Sequence, residues 1–202
     1  MNTIALESLP HDPAFRRLAS VPGIDVDLRY ATTNNFSGRN LYGTLDCGWL
    51  RAEAADGLAR AAAWLAARRP GWRLRVLDAL RPQRVQEAIW RDVAGTPMQR
   101  YFAHPGRGSI HSFGMAVDLT LLAPDGTEAD MGSGFDEMSE RSHPALHAEH
   151  LALGVLGAEH LARRGWLAAA MRHGGFDGIP TEWWHYDHGD REHVRRHLPR
   201  VA

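Results

Sequence analysis

The chain has 202 residues, 44% of them hydrophobic and 23% charged, and a formal net charge of -1. One hydrophobic core can grow to about that size, so residues 1–202 read as a single globular domain of ordinary composition. The near-neutral balance argues against nucleic acid or an anionic membrane surface as a partner, since neither is favoured without a basic excess.

The start, "MNTIALESLPHDPAF", lacks a basic region followed by an apolar run, and no segment is long and apolar enough for a membrane span, so cytoplasmic residence is the expectation. The single cysteine, Cys47, excludes an intramolecular disulfide. "IDVDLRYAT" alternates Ile24, Val26 and Leu28 with charged residues and predicts a half-buried strand. Residues 46–69 place Leu50, Ala54, Leu58, Ala61 and Leu65 at helical spacing and predict a helix closed by "RRPG". "WRLRVLDAL" alternates again, and "RPQRVQEAIWRDVA" predicts a proline-started second helix. "MAVDLTLL" is a third strand, with Val117, Leu119 and Leu121 on one face and Ala116, Asp118 and Thr120 on the other. Residues 144–173 read as largely helical and stop at "HGGF", and "TEWWHYD" reads as a fourth strand. Without a regular βαβ rhythm, the class is α+β, with a small, mostly antiparallel sheet flanked by helices.

Two stretches carry chemistry. In "SIHSFGMAVD", His111 and Asp118 lie seven positions apart. On one strand they would face opposite ways, and on a helix they would lie roughly 10 Å apart along the axis. A loop bearing His111, bent at Gly114 and running into a strand with Asp118, brings them together. Asp118 interrupts an apolar run, and an unpaired buried carboxylate is expensive; a cation, either an arginine or a metal, removes that cost. In "EWWHYD", Glu182 and His185 sit among two tryptophans and a tyrosine, which read alone as an aromatic core strand with a polar outer face. Together the stretches supply three zinc ligands, His111, Asp118 and His185, and leave Glu182 as a general base for a metal-bound water.

"SIHSFGMAVDLTL" and "EWWHY" resemble the SxHxxGxAxD and ExWH signatures of the VanX-like D-alanyl-D-alanine dipeptidases, and "DLRYATTNNFSG", "LDALRPQR" and "MGSGFDEMSERSH" resemble further segments of that family in the same order. The resemblance runs from about residue 24 to about residue 187. It implies one Zn2+ per chain on His111, Asp118 and His185, Glu182 as the catalytic base, and Arg81 as the group that stabilises the tetrahedral intermediate. It also implies that Ser109 and Tyr30 line the substrate pocket near the free amino group, with Asp118 facing the substrate as well as the metal. The implied fold is the α+β sheet shared with D,D-carboxypeptidases and the Hedgehog amino-terminal domain, and the implied substrate is a small dipeptide, D-Ala-D-Ala. Two alternatives are a D,D- or L,D-carboxypeptidase acting on longer peptidoglycan peptides, and a non-catalytic zinc-stabilised binding domain.

Ala79 and Leu80 stand where the family commonly has a glycine and an aromatic, and are expected in the pocket wall. Asp136 and Glu137 are expected to orient a ligand histidine from outside the metal shell. His143, His147 and His150 read as a solvated patch, or at most as partners outside the metal shell, Trp183 and Trp184 as packing, and Cys47 as inert. The first twenty-odd residues and the tail "HGDREHVRRHLPRVA" carry no recognisable signal.

Overall fold

Residues 3–202 are described by a computed structural model. The chain runs through β1 (Thr3–Ile4), β2 (Phe15–Arg17), β3 (Ile24–Val26) and β4 (Trp49–Arg51) into the first long helix, α1 (Ala52–Arg68). β5 (Arg73–Asp78), α2 (Gln83–Val93) and β6 (Ala116–Leu122) follow. Helices α3 (His147–Ala152) and α4 (Ala158–His173) lead to β7 (Phe176–Ile179), β8 (Glu182–His188), α5 (Arg191–His197) and β9 (Arg200–Val201).

Five strands form the central sheet in the order β3-β5-β6-β8-β7. β3 is parallel to β5, and the other pairings are antiparallel, as the α+β reading expects. Every residue of β6 is buried, because it is the middle strand and helices cover one face. Val117, Leu119 and Leu121 pack there with Leu58 and Leu65 of α1 and with Leu167 and Met171 of α4. Truncating any one of these leucines to alanine removes about 2–5 kcal/mol. The two helices touch through glycines: a Cβ added at Gly57 would lie 2.5 Å from the Gly174 carbonyl oxygen, so neither position accepts a side chain without displacing a helix.

Several boundaries differ from the sequence expectation. The helix expected from residue 46 starts at Ala52, because Trp49–Arg51 pair as a strand with Phe15–Arg17. Leu50 matches the helical spacing but is buried as a strand residue. The expected helix over residues 144–173 is two helices, separated where Gly154 adopts φ 68° and Gly157 caps α4. The strand at Ile24 stops at Val26, and Arg29–Ala31 form a 3-10 turn. The weakly patterned "FDGI" pairs as β7 against β8. Neither terminal segment is silent: β1 pairs in parallel with β9, and Asp190 caps α5 by accepting the His193 N–H at 2.7 Å. Among the described residues no helix is long and apolar enough to cross a membrane.

Candidate active site

The register of the sheet assembles the site. Asp78 of β5 lies opposite Asp118 of β6, and Asp118 lies opposite His185 of β8. His111 arrives from the 3-10 turn Ile110–Phe113, which ends at Gly114 in the left-handed conformation, φ 70°. That bend is the one the sequence requires, and it aims the imidazole back at β6. His111, Asp118 and His185 each offer one ligand atom, all within 4.8 Å of one another.

Hydrogen bonds on the far side of each ring determine what faces inward. His111 Nδ1 lies 2.7 Å from the Ala79 carbonyl oxygen, which can only accept, so Nδ1 carries the hydrogen and Nε2 is a bare lone pair. His185 Nε2 donates to Asp187 Oδ1 at 2.8 Å, leaving its Nδ1 bare. These two nitrogens lie 3.1 Å apart, with Asp118 Oδ1 at 2.9 Å from His185 Nδ1 and 3.4 Å from His111 Nε2. Three lone-pair donors with no hydrogen between them repel unless a proton or a metal ion lies among them. The N, N, O donor set therefore fits a divalent metal. Without one, the proton settles on His185: burial opposes the charged ring, but Asp187 and Asp118 outweigh it and raise the pKa well above the usual value. Asp118 is held well below the usual carboxylate range by His111 and His185, against the effect of its own burial.

Of the two cations considered for Asp118, the arginine is Arg81, and the three-atom donor cluster is where a metal would sit. Arg81 NH2 is 3.5 Å from Asp118 Oδ2, but its stronger bonds go to Asp78 Oδ2, from NH2 at 2.7 Å and from Nε at 3.1 Å. The guanidinium also donates to Gln86 Oε1 at 3.2 Å and stacks over the Tyr30 ring, 4.8 Å from its centroid. The Tyr42 hydroxyl donates to Asp78. Arg81 is thus a buried, tightly held donor rather than a surface or capping arginine.

A cavity of about 410 Å³ opens over this row of residues, lined by Tyr30, Arg81, Ser109, His111, Asp118, Asp136, Glu182, Trp184 and His185 among others. Glu182, at the start of β8, is 8% exposed; burial pushes its carboxyl up to about 7, against the opposing pull of His185. Ser109 precedes the His111 turn and is buried in the cavity wall. All seven sequence-predicted site residues, Tyr30, Arg81, Ser109, His111, Asp118, Glu182 and His185, share this one cavity.

Other expectations are corrected. Asp136 and Glu137 orient no histidine. Asp136, with φ 59°, accepts the Phe36 N–H at 3.2 Å and the Tyr30 hydroxyl at 3.5 Å, and Glu137 bonds Gly134 and Ser139. The groups that do bond the two imidazoles are Asp187, to His185, and the Ala79 carbonyl, to His111. Asp187 was readable in principle, since residues i and i+2 of a strand share a face; a backbone carbonyl leaves no sequence signal. Ala79 and Leu80 do not wall the cavity, for both side chains are fully buried in the core. His150 is buried rather than solvated, His143 contacts the Tyr101 hydroxyl at 3.1 Å, and His147 lies 3.1 Å from Arg164, with burial and that charge lowering its pKa to about 4. Trp183 and Trp184 both pack in the main core, and Trp184 also reaches the cavity. Cys47 is buried, and burial pushes its thiol up, as inertness requires.

The tail braces the cavity wall. Arg200 donates to the Pro105 and Gly106 carbonyls at 3.0 and 2.9 Å, and Arg195 donates to the Gly108 carbonyl at 3.3 Å, just ahead of Ser109. Arg200→Ala is expected to lower unfolding free energy by about 2 kcal/mol in urea melts, because two carbonyls lose a charged donor.

Two lone-pair imidazoles, a carboxylate, a buried glutamate and a fixed guanidinium around one cavity are the parts of a metal-dependent hydrolase. The chain belongs to the peptidase family described as D-ala-D-ala dipeptidase, a family of metallopeptidases, whose sequence profile matches residues 14–202. It is 37% identical to the D-alanyl-D-alanine dipeptidase of Escherichia coli (strain K12) over 166 residues, covering 82% of this chain and 79% of that protein. It is 32% identical to the enzyme of the same description from Enterococcus faecalis (strain ATCC 700802 / V583), covering 81% of this chain and 85% of that one. The corresponding Streptomyces coelicolor (strain ATCC BAA-471 / A3(2) / M145) protein is 33% identical, with coverage of 86% and 90%.

Proposed function

We propose that this chain is a zinc-dependent dipeptidase that hydrolyses D-alanyl-D-alanine to two molecules of D-alanine. The observation that carries the reading is the His111, Asp118 and His185 cluster with Glu182 buried in the same cavity. Zinc bound there would supply Lewis acidity toward the scissile carbonyl and acidify a water. Every other part is supplied by side chains. Glu182, buried and held near neutrality, accepts the proton of the attacking water on its carboxylate and passes it to the departing amine. Arg81, locked by Asp78 and Gln86, presents permanently charged N–H groups to the developing oxyanion.

Charge pairing supports placing the substrate ammonium at Asp136. Asp78, Asp118 and Asp187 each already face a cation. Among the described residues Asp136, buried in the cavity wall, has a backbone N–H and the Tyr30 hydroxyl as hydrogen-bond partners and no ion pair; burial and the charge of Asp118 push its pKa well above the usual range, against the weaker pull of Arg81. A substrate ammonium supplies the missing charge, and Tyr30 and Ser109 complete that wall. The volume suits a small peptide.

Purified protein loaded with zinc is expected to release alanine from D-Ala-D-Ala and not from L-Ala-L-Ala. Equal turnover of the L,L dipeptide would overturn the stereochemical assignment. Faster cleavage of a pentapeptide ending in D-Ala-D-Ala would move the assignment to a carboxypeptidase.

A further inference from the structure

We propose that Asp187 is a positioning residue for the metal site, fixing the tautomer and orientation of His185, with Arg191 holding Asp187 in turn. The motif that marks the site ends at His185, and nothing in it gives a role to the carboxylate two residues later. The strand does. Positions 185 and 187 of β8 point to the same side, and Asp187 Oδ1 accepts the His185 Nε2–H at 2.8 Å.

Three observations separate this from an incidental contact. Asp187 is 2% exposed, so it is one of the few buried carboxylates in the chain and its charge has to be used. Its backbone is pinned on both sides, opposite Ala116 of β6 and opposite Asp177 of β7. Its second oxygen is taken by the Arg191 guanidinium from the first position of α5, so the side chain is held from both ends. His185 therefore lies between two carboxylates, Asp118 at Nδ1 and Asp187 at Nε2. Only if Asp187 claims the hydrogen does Nδ1 present a lone pair to the shared centre. Remove Asp187, and the hydrogen's only carboxylate partner is Asp118, on the nitrogen that a metal needs bare. An outer carboxylate on a ligand histidine typically changes metal affinity by about 10- to 100-fold.

This inference rests on the metal reading above, and its test separates the two. Zinc affinity is measured by competition with a chromophoric chelator, and the melting temperature of the metal-free protein is recorded alongside. Asp187→Leu is expected to weaken zinc binding by about 10- to 100-fold. Asp187→Asn keeps an oxygen that can accept from Nε2–H but loses the charge, and is expected to weaken binding on the order of threefold or more with the fold retained. Should the leucine variant fail to fold, the asparagine variant decides. Wild-type zinc affinity in the folded variant, with only the metal-free melting temperature lowered, would make Asp187 a strand-to-helix tie and overturn the inference. Failure of the unaltered protein to bind zinc would strike the metal reading itself.

Discussion

Glu182→Gln is expected to leave zinc content unchanged and to slow D-Ala-D-Ala hydrolysis by about 10²- to 10⁴-fold, the range that a positioned general base supplies. Glutamine preserves the shape of a side chain that is 8% exposed, but it cannot take a proton from water. The same substitution has an opposite effect on stability. Burial pushes the Glu182 carboxyl from the ordinary 4.5 up to about 7, so the folded state disfavours the charged form. Below the unfolded value both states are protonated and nothing is lost. As pH rises from about 4.5 to about 7 the unfolded chain ionises first, and the metal-free protein loses on the order of 3 kcal/mol. Metal-free Glu182→Gln should therefore be more stable than the unaltered protein above neutrality and equal to it in acid, as urea melts at several pH values will show. Activity should rise with pH through the titration of this carboxyl. An adjacent metal cation favours the ionised form, so the midpoint in the loaded enzyme should fall below about 7. Full activity of Glu182→Gln would remove the assigned base.

Arg81→Ala is expected to damage both catalysis and folding, by about 10²- to 10³-fold in kcat/KM and about 3–5 kcal/mol in unfolding free energy. The two losses have separate causes. The catalytic loss is that of fixed donors at the place where negative charge develops. The folding loss comes from Asp78, which is fully buried and would keep only the Tyr42 hydroxyl and its neighbours in place of a two-pronged guanidinium. Arg81→Lys should recover part of the stability and little of the activity, because an ammonium offers one point charge where Arg81 reaches Asp78, Gln86 and Asp118 together. The double variant Arg81→Ala with Asp78→Asn separates the effects: stability should return toward that of the Asp78→Asn protein while turnover stays low. Recovery of turnover in that double variant would show that Arg81 only holds the fold.

Much of the site was legible because its residues break local patterns. Asp118 interrupts an apolar strand, Gly114 stands where a loop must turn into that strand, and Glu182 and His185 lie among aromatics. The alternation that predicted β5 and β6 and the heptad-like spacing that predicted α1 were equally local, and they survive with shifted ends. What failed was non-local. Leu50 fits a helix by spacing yet belongs to a strand, because Phe15–Arg17 supply its partner. "FDGI" has no pattern of its own and becomes a strand by lying beside β8. The tail had no recognisable signal, although its arginines hold the loop that carries Ser109.

The order of residue types along this chain was enough to name the family and to single out the side chains that meet in one cavity, because motifs and short spacings carry both. Only the tertiary structure decided which nitrogen of each imidazole faces inward. That choice depends on the Ala79 carbonyl, which meets His111 only when the end of β5 packs against the turn before β6, and on Asp187, which meets His185 along one face of β8. The same holds for Asp136, which forms no ion pair among the described residues, a fact about its surroundings and not about its neighbours in sequence.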